Sequence, residues 1–244
     1  MENNKTLLVT GASSDVGMGL IRKIHGNYGK ILAHYNNSKD GILELQTELG
    51  DKIVPMQADF SDEASTKEFA VAVVGHNSPP AHYVHVPARP LINEKFSKLT
   101  WDDFEAELTV SFRSAVILCE ILMPVMVKNK SGKIVFMLSF NVINHPQIKY
   151  AIQYTSAKYA LLGLMKGLSA EYANKGITVN AVSPSMIETK FLKKVPDLIK
   201  EKNAEASPLK RNLLVSDVVD TFEFLLSDGA NCITGQNIAV TGGN

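Results

Sequence analysis

Neither sign of charge dominates this chain: 25 Lys and Arg are matched by 25 Asp and Glu. The basic excess that nucleic acid or an anionic membrane surface requires is therefore missing. Cysteine is scarce as well. Cys119 and Cys232 stand without CxxC or metal-ligand spacing, so no metal is expected and both read as buried thiols in a reducing compartment. No apolar run reaches the roughly 18 residues needed to span a bilayer, and the opening MENNKTLLVTG has no signal-peptide apolar region before its first glycine. The expectation is a cytoplasmic chain with no membrane or nucleic-acid partner. Repeats, low-complexity tracts and linkers are also absent.

What is present is ordinary for a globular protein: 45% hydrophobic and 20% charged residues in 244. That length suits one large α/β domain over residues 1–244. Lys5 to Thr10 is an apolar run ending at Gly11, and Gly17 to His25 has helical spacing. Lys30 to Tyr35 and Lys52 to Gln57 read as further strands, each followed by a helical stretch, at Gly41 to Leu49 and from about Asp62 to Val74. This alternation implies a parallel sheet with right-handed crossovers. Beyond it lie strands at Tyr83 to Val86, Lys133 to Ser139, Ile177 to Val182 and Gln236 to Thr241. Helices are expected from Trp101 to about Val127, kinked or ended by Pro124, from Ile152 to Asn174, and to Ser227 with Ser216 as cap. Asn141 to Tyr150 reads as a polar loop. The charged stretch from Thr189 to Ala206, within a substrate loop at about 186–210, is a candidate lid. Ala160, Gly163 and Gly167 offer a small-residue helix face, for packing on the chain's own sheet or for a subunit contact.

Tyr154 and Lys158 are four residues apart on one expected helix and so share a face. An ammonium about 4 Å from a phenol, at an effective dielectric of about 20, interacts by roughly 4 kcal/mol. That is about three pKa units, enough to bring a phenol from near 10 to near 7. Such a group exchanges protons with an alcohol or alkoxide at cellular pH. Ser139, at the end of an apolar run, is placed to hydrogen-bond the same substrate oxygen. Spacing alone is weak, because Tyr35 and Lys39 repeat it with no catalytic meaning.

A strand, a glycine turn and a helix in succession make a phosphate site, since free N–H groups and the helix dipole both address the anion. Gly11, Gly17 and Gly19 supply that turn. Asp59, ending the third strand, is positioned for an adenine amino group or, equally, for capping a helix. At the end of the second strand, where a carboxylate would hold a ribose 2′-hydroxyl, stands Tyr35. With His34, Asn36, Ser38 and Lys39 nearby, the expectation leans to NADP(H) over NAD(H).

Taken in order, TGASSDVG at 10–17, Asp59, the set Ser139, Tyr154 and Lys158, ITVNAVSPSMIET at 177–189 and ITGQNIAVTGG at 233–243 resemble the short-chain dehydrogenase/reductase family over the whole chain. Within it the resemblance is to 3-oxoacyl-carrier-protein reductases. It implies a doubly wound, Rossmann-type three-layer sandwich with seven parallel strands, assembled as a homotetramer or homodimer. It makes Tyr154 the acid/base, Lys158 the residue that lowers its pKa and holds the nicotinamide ribose, and Ser139 the clamp on the carbonyl oxygen. For the cofactor it points to Gly11, Ser13, Ser14, Asp15, Val16 and Gly17 in the first turn. Further along it points to Tyr35 and Asn36, to Asp59 and Phe60, to Pro87 and Ala88, and to Pro184, Ile187 and Thr189.

Three positions depart from the family pattern. Asp15 replaces the middle glycine; it can adopt a left-handed backbone but brings negative charge toward the pyrophosphate, unless it turns to cap the helix. The NNAG loop aligns with Val86-Pro87-Ala88-Arg89, whose arginine would meet an anionic substrate group, a cofactor phosphate or a surface partner. The relay asparagine aligns with Ser111. Two readings result: an NADPH-dependent reductase of a 3-oxoacyl thioester, a sugar or another small ketone, with Tyr154 as general acid, or a cofactor-poor binding and assembly subunit.

Overall fold

The first apolar run forms β1 (Thr6–Thr10), with every residue buried. Its side chains alternate between two cores: Leu7 and Val9 join one, Leu8 the other. A strand buried on both faces belongs inside a parallel sheet covered by helices on both sides. The computed structural model describes residues 5–143 and 149–243, and it has that architecture.

The sheet has seven parallel strands in the order β3-β2-β1-β4-β5-β6-β7. The others are β2 (Lys30–Tyr35), β3 (Ile53–Gln57), β4 (His82–His85), β5 (Gly132–Met137), β6 (Ile177–Pro184) and β7 (Asn237–Val240). β3 and β7 are the outermost strands, and Pro55 lies in the middle of β3. Helices α1 (Asp15–Ile24), α2 (Lys39–Leu49) and α8 (Val215–Leu226) bury their apolar sides in the first core. The opposite face is covered by α3 (Glu63–Val74), α5 (Ser114–Asn129) and α6 (Ile152–Tyr172). The strand order reverses between β1 and β4, and the crevice at the carboxyl ends of those strands is where this topology places a ligand.

Several boundaries differ from the sequence reading. The expected helix from Trp101 is α4 (Trp101–Leu108), a π-helical turn (Thr109–Arg113) and α5 in succession. Pro124 neither ends nor breaks α5. It sits on the exposed side of the helix, as does Glu120 one turn earlier, whose carbonyl it cannot serve. The 29-residue run Trp101–Asn129 is long and apolar enough to cross a membrane, but Leu118, Cys119, Leu122 and Met126 commit one side of it to the sheet. Ser216 does not cap α8; the Asp217 carboxylate instead accepts the Leu214 N–H at 2.8 Å. The candidate lid contains α7 (Asp197–Ala206). Gly163 and Gly167 face open space rather than the sheet. Cys119 is buried as expected, whereas Cys232 is exposed. Part of the polar loop expected at Asn141 to Tyr150, residues 144–148, lies outside the described residues.

Candidate active site

The turn after β1 is built by two glycines. Gly11 has φ +68°, a left-handed conformation that suits glycine. A Cβ on Gly17 would lie 2.5 Å from the Gly11 carbonyl, so α1 approaches the turn only without one. Ser14 closes the turn by donating to the Gly11 carbonyl at 2.7 Å and accepting the Gly17 N–H at 3.1 Å. The first-turn N–H groups of α1 have no intrahelical acceptor and open on a cavity lined by Ser13, Ser14, Asp15 and Val16. Gly19 is not in the turn; a Cβ there would strike Val215 of α8.

His34 braces this turn. Its Nδ1 accepts the Gly11 N–H at 3.0 Å while Nε2 lies 3.1 Å from the Ala58 carbonyl, which fixes the Nε2–H tautomer. The ring stacks on Phe60 with centroids 4.0 Å apart. Burial lowers its pKa to about 4, so the ring is neutral at pH 7 and is no ligand for a 2′-phosphate, contrary to the sequence reading. Asp59 does not cap α3, a task done by Asp62. Its Oδ1 accepts the Ser61 N–H and hydroxyl at 2.8 and 2.7 Å and the Asn36 amide at 3.4 Å. These bonds, the Ser61 hydroxyl foremost, lower its pKa and keep it an acceptor.

Asp15 adopts neither geometry considered from the sequence. It is the first residue of α1, with a right-handed backbone, and Ser14 is the cap. Its Oδ2 accepts the Lys190 backbone N–H at 2.6 Å, and its Oδ1 lies 3.8 Å from the Lys190 ammonium. A cation therefore offsets the charge that the turn would otherwise present to a phosphate.

The cavity, about 750 Å³, runs from this turn past Tyr35, Asn36, Asp59 and Phe60 at one side to Ser139, Tyr154 and Lys158 at the other. Pro87, Ala88, Arg89, Pro184, Ile187 and Thr189 line its length. Donors at a helix start, an acidic acceptor beyond β3 and a lysine at the far end fit an elongated, doubly charged nucleotide. Tyr154 belongs to an apolar cluster with Leu91, Ala151, Met186, Leu192 and Val195 at the far end, with Phe191 5.6 Å from the tyrosine ring.

Tyr154 and Lys158 share one side of α6, and both are buried. Their geometry differs from the simple ion–phenol pair. The ammonium lies 5.5 Å from the tyrosine ring centroid and donates to the Met137 carbonyl at 2.9 Å. Burial raises the Tyr154 pKa above its usual 10, against a smaller lowering by the Ser139 hydroxyl. Burial also lowers Lys158 to about 8. The expected phenol near 7 is thus corrected: burial disfavours the phenolate more than the Ser139 hydroxyl favours it. Ser139 accepts the Asn141 N–H at 3.3 Å, leaving its own proton to donate.

Residues 11–244 match the family described as Enoyl-(Acyl carrier protein) reductase. The chain belongs to the short-chain dehydrogenase/reductase family of oxidoreductases. Among curated relatives, an uncharacterized oxidoreductase of Bacillus subtilis, YmfI, is 30% identical over 98% of both chains. A 3-oxoacyl-[acyl-carrier-protein] reductase of Staphylococcus epidermidis is 29% identical, again over 98% of each. Solved structures share the fold at lower identity. ElxO with NADP bound has a TM-score of 0.87 at 24% identity, covering 98% of each chain. A 3-oxoacyl (acyl-carrier-protein) reductase of Agrobacterium tumefaciens, also with NADP bound, has 0.88 at 22%, covering 100% of this chain and 95% of that one.

As a short-chain dehydrogenase/reductase the chain has one unexpected group. Ser111, aligned with the relay asparagine, does not line the cavity; it is fully buried in the π-helical turn. Its hydroxyl donates to Glu107 Oε1 at 2.6 Å, and its carbonyl lies 2.8 Å from His85 Nε2. The polar group that α4 turns toward Lys158 is therefore the Glu107 carboxyl, which the sequence reading passed over.

Proposed function

We propose that the protein reduces the carbonyl of a 3-oxoacyl thioester, carrier-bound or free, or of another small ketone, using NADPH in preference to NADH. The observation behind this reading is the convergence of the Ser139 hydroxyl, the Tyr154 phenol and the Lys158 ammonium at one end of a cavity whose other end is the glycine turn. A bound nicotinamide dinucleotide supplies the hydride. Ser139 donates to the substrate oxygen and orients it. Tyr154, kept protonated by burial, gives its proton to that oxygen as negative charge develops. The Lys158 ammonium stabilises the phenolate left behind, beside an apolar cluster that lowers the local polarity. The same groups run backward for alcohol oxidation.

The preference for NADPH rests on Tyr35 standing where a carboxylate would repel a 2′-phosphate, and on Ser38 and the exposed Lys39 at the start of α2. NADP in both similar structures named above agrees with it. The outward side of α6 around Gly163 and Gly167 would serve as the contact in a dimer or tetramer.

The test is direct. Purified protein mixed with NADPH and a short 3-oxoacyl thioester should deplete the reduced nicotinamide absorbance, with NADH several-fold less effective. Tight NADPH binding with no turnover of any 3-oxoacyl thioester or small ketone would instead support a binding subunit.

A further inference from the structure

Glu107 is 4% exposed, yet carries a carboxyl group on a helix that packs against the helix bearing Tyr154 and Lys158. A carboxylate so placed needs partners. It has the Ser111 hydroxyl at 2.6 Å on its own side, delivered by the π-helical turn. Arg89, in the loop after β4, adds a smaller electrostatic influence on it. It forms no direct ion pair with Lys158, but its helix packs on α6, and its charge acts on the Lys158 ammonium and the Tyr154 phenol there. His85 reaches Ser111 from behind but is neutral, held near 3 by burial.

We propose that Glu107 is a positioning residue whose charge determines the proton occupancy of the Tyr154–Lys158 pair. Lys158 is buried with one recorded hydrogen bond, to the Met137 carbonyl, so its ammonium is poorly compensated. A charge on Glu107, in the helix packed against α6, works against that burial and favours a proton on Lys158. Burial is the main reason Tyr154 stays protonated, and the Glu107 charge adds a smaller effect in the same direction. Glu107 itself is pushed up by burial and drawn down by Ser111, Lys158 and Arg89. In turnover, a proton lost by Tyr154 to the substrate oxygen is replaced from Lys158, and Lys158 is recharged from solvent in the field of Glu107. The inference rests on the reductase reading only for this kinetic consequence.

The decisive variant is Glu107→Gln, which keeps the shape and a carbonyl for the Ser111 hydroxyl but removes the charge. With lysine labelled at ¹³Cε, Lys158 should titrate about one pH unit lower in Glu107→Gln than in wild type, a tenfold rise in its proton-dissociation constant. Glu107→Asp, retaining charge, should bring the titration back toward wild type and serves also if Glu107→Gln does not fold. The alkaline fall of reduction should move by the same amount, with NADPH affinity unchanged. Identical Lys158 titrations in wild type and Glu107→Gln, or a shift that Glu107→Asp does not reverse, would overturn the proposal. The titration uses neither nucleotide nor substrate. Failure of the reductase reading would appear separately, as wild type that turns over no carbonyl compound.

Discussion

The carboxylate of Asp15 and the backbone N–H of Lys190, 175 positions apart in sequence, meet at 2.6 Å. The contact ties the glycine turn to the segment that carries Phe191 and Leu192 to the Tyr154 end of the cavity. Replacing Asp15 by Gly should free the Lys190 amide to exchange hydrogen at least tenfold faster, about 1.4 kcal/mol of lost protection. Lys190→Ala should weaken NADPH binding by no more than about fivefold, because its ammonium is exposed and such pairs are worth about 1 kcal/mol or less. In an Asp15→Asn background that effect should vanish; a Lys190→Ala effect of equal size in both backgrounds would show that the two charges are not coupled.

The pH dependence of reduction should follow Lys158 rather than Tyr154. Lys158 is charged below about 8 and neutral above it, and the phenolate of the proposed reduction would need the charge. Reduction rates, measured at saturating NADPH, should be level through neutrality and fall as pH rises through about 8. A fall centred near pH 6 would contradict the assignment.

Substitution separates the two residues. Tyr154→Phe should abolish turnover and leave NADPH affinity nearly unchanged, since it deletes a proton donor and little packing. Lys158→Met should abolish turnover and raise stability by about 1 to 3 kcal/mol, because the folded chain no longer buries an ammonium. Denaturant melts of the two variants against wild type provide the check; a destabilised Lys158→Met would mean that the Met137 and Glu107 interactions outweigh the desolvation.

Acid should destabilise the fold well above the carboxylate range. Burial lowers His34 to about 4 and His82 and His85 to about 3, whereas in the unfolded chain each titrates near 6.5. The unfolded state therefore binds more protons below pH 6.5, so stability is complete above that value and declines as pH falls toward 4. At pH 5.5 each histidine should cost about 1.4 kcal/mol, the three together about 4 kcal/mol. Urea melts at pH 7.5 and 5.5 measure it; coincident midpoints would rule it out.

The sheet, the glycine turn and the Ser139–Tyr154–Lys158 set were legible because each follows from local order: apolar runs, turn residues and an i, i+4 spacing. What was not legible depends on contacts distant in sequence. Spacing gave the nearness of Tyr154 and Lys158 but not the burial that reverses the expected acidity. Glu107 is one of four carboxylates in WDDFEAEL, and nothing in that local order marks which of them is buried; the packing of α4 on α6 puts Glu107 inside. His34 looked like a strand residue beside a phosphate until the Ala58 carbonyl, brought in from beyond β3, fixed its ring. Asp15 could not be understood without Lys190.

Pro55 has a consequence for solubility. Strand β3 pairs with β2 on one side only, so its other side would offer an arriving chain a row of unpaired N–H and C=O groups. A proline in the middle of five residues deletes one donor from the edge strand without disturbing an internal ladder. Proline on an edge strand is one of the devices that blunt edge-to-edge pairing, so Pro55 should make this flank a poorer template for an added strand. Pro55→Val would preserve the fold and remove the block.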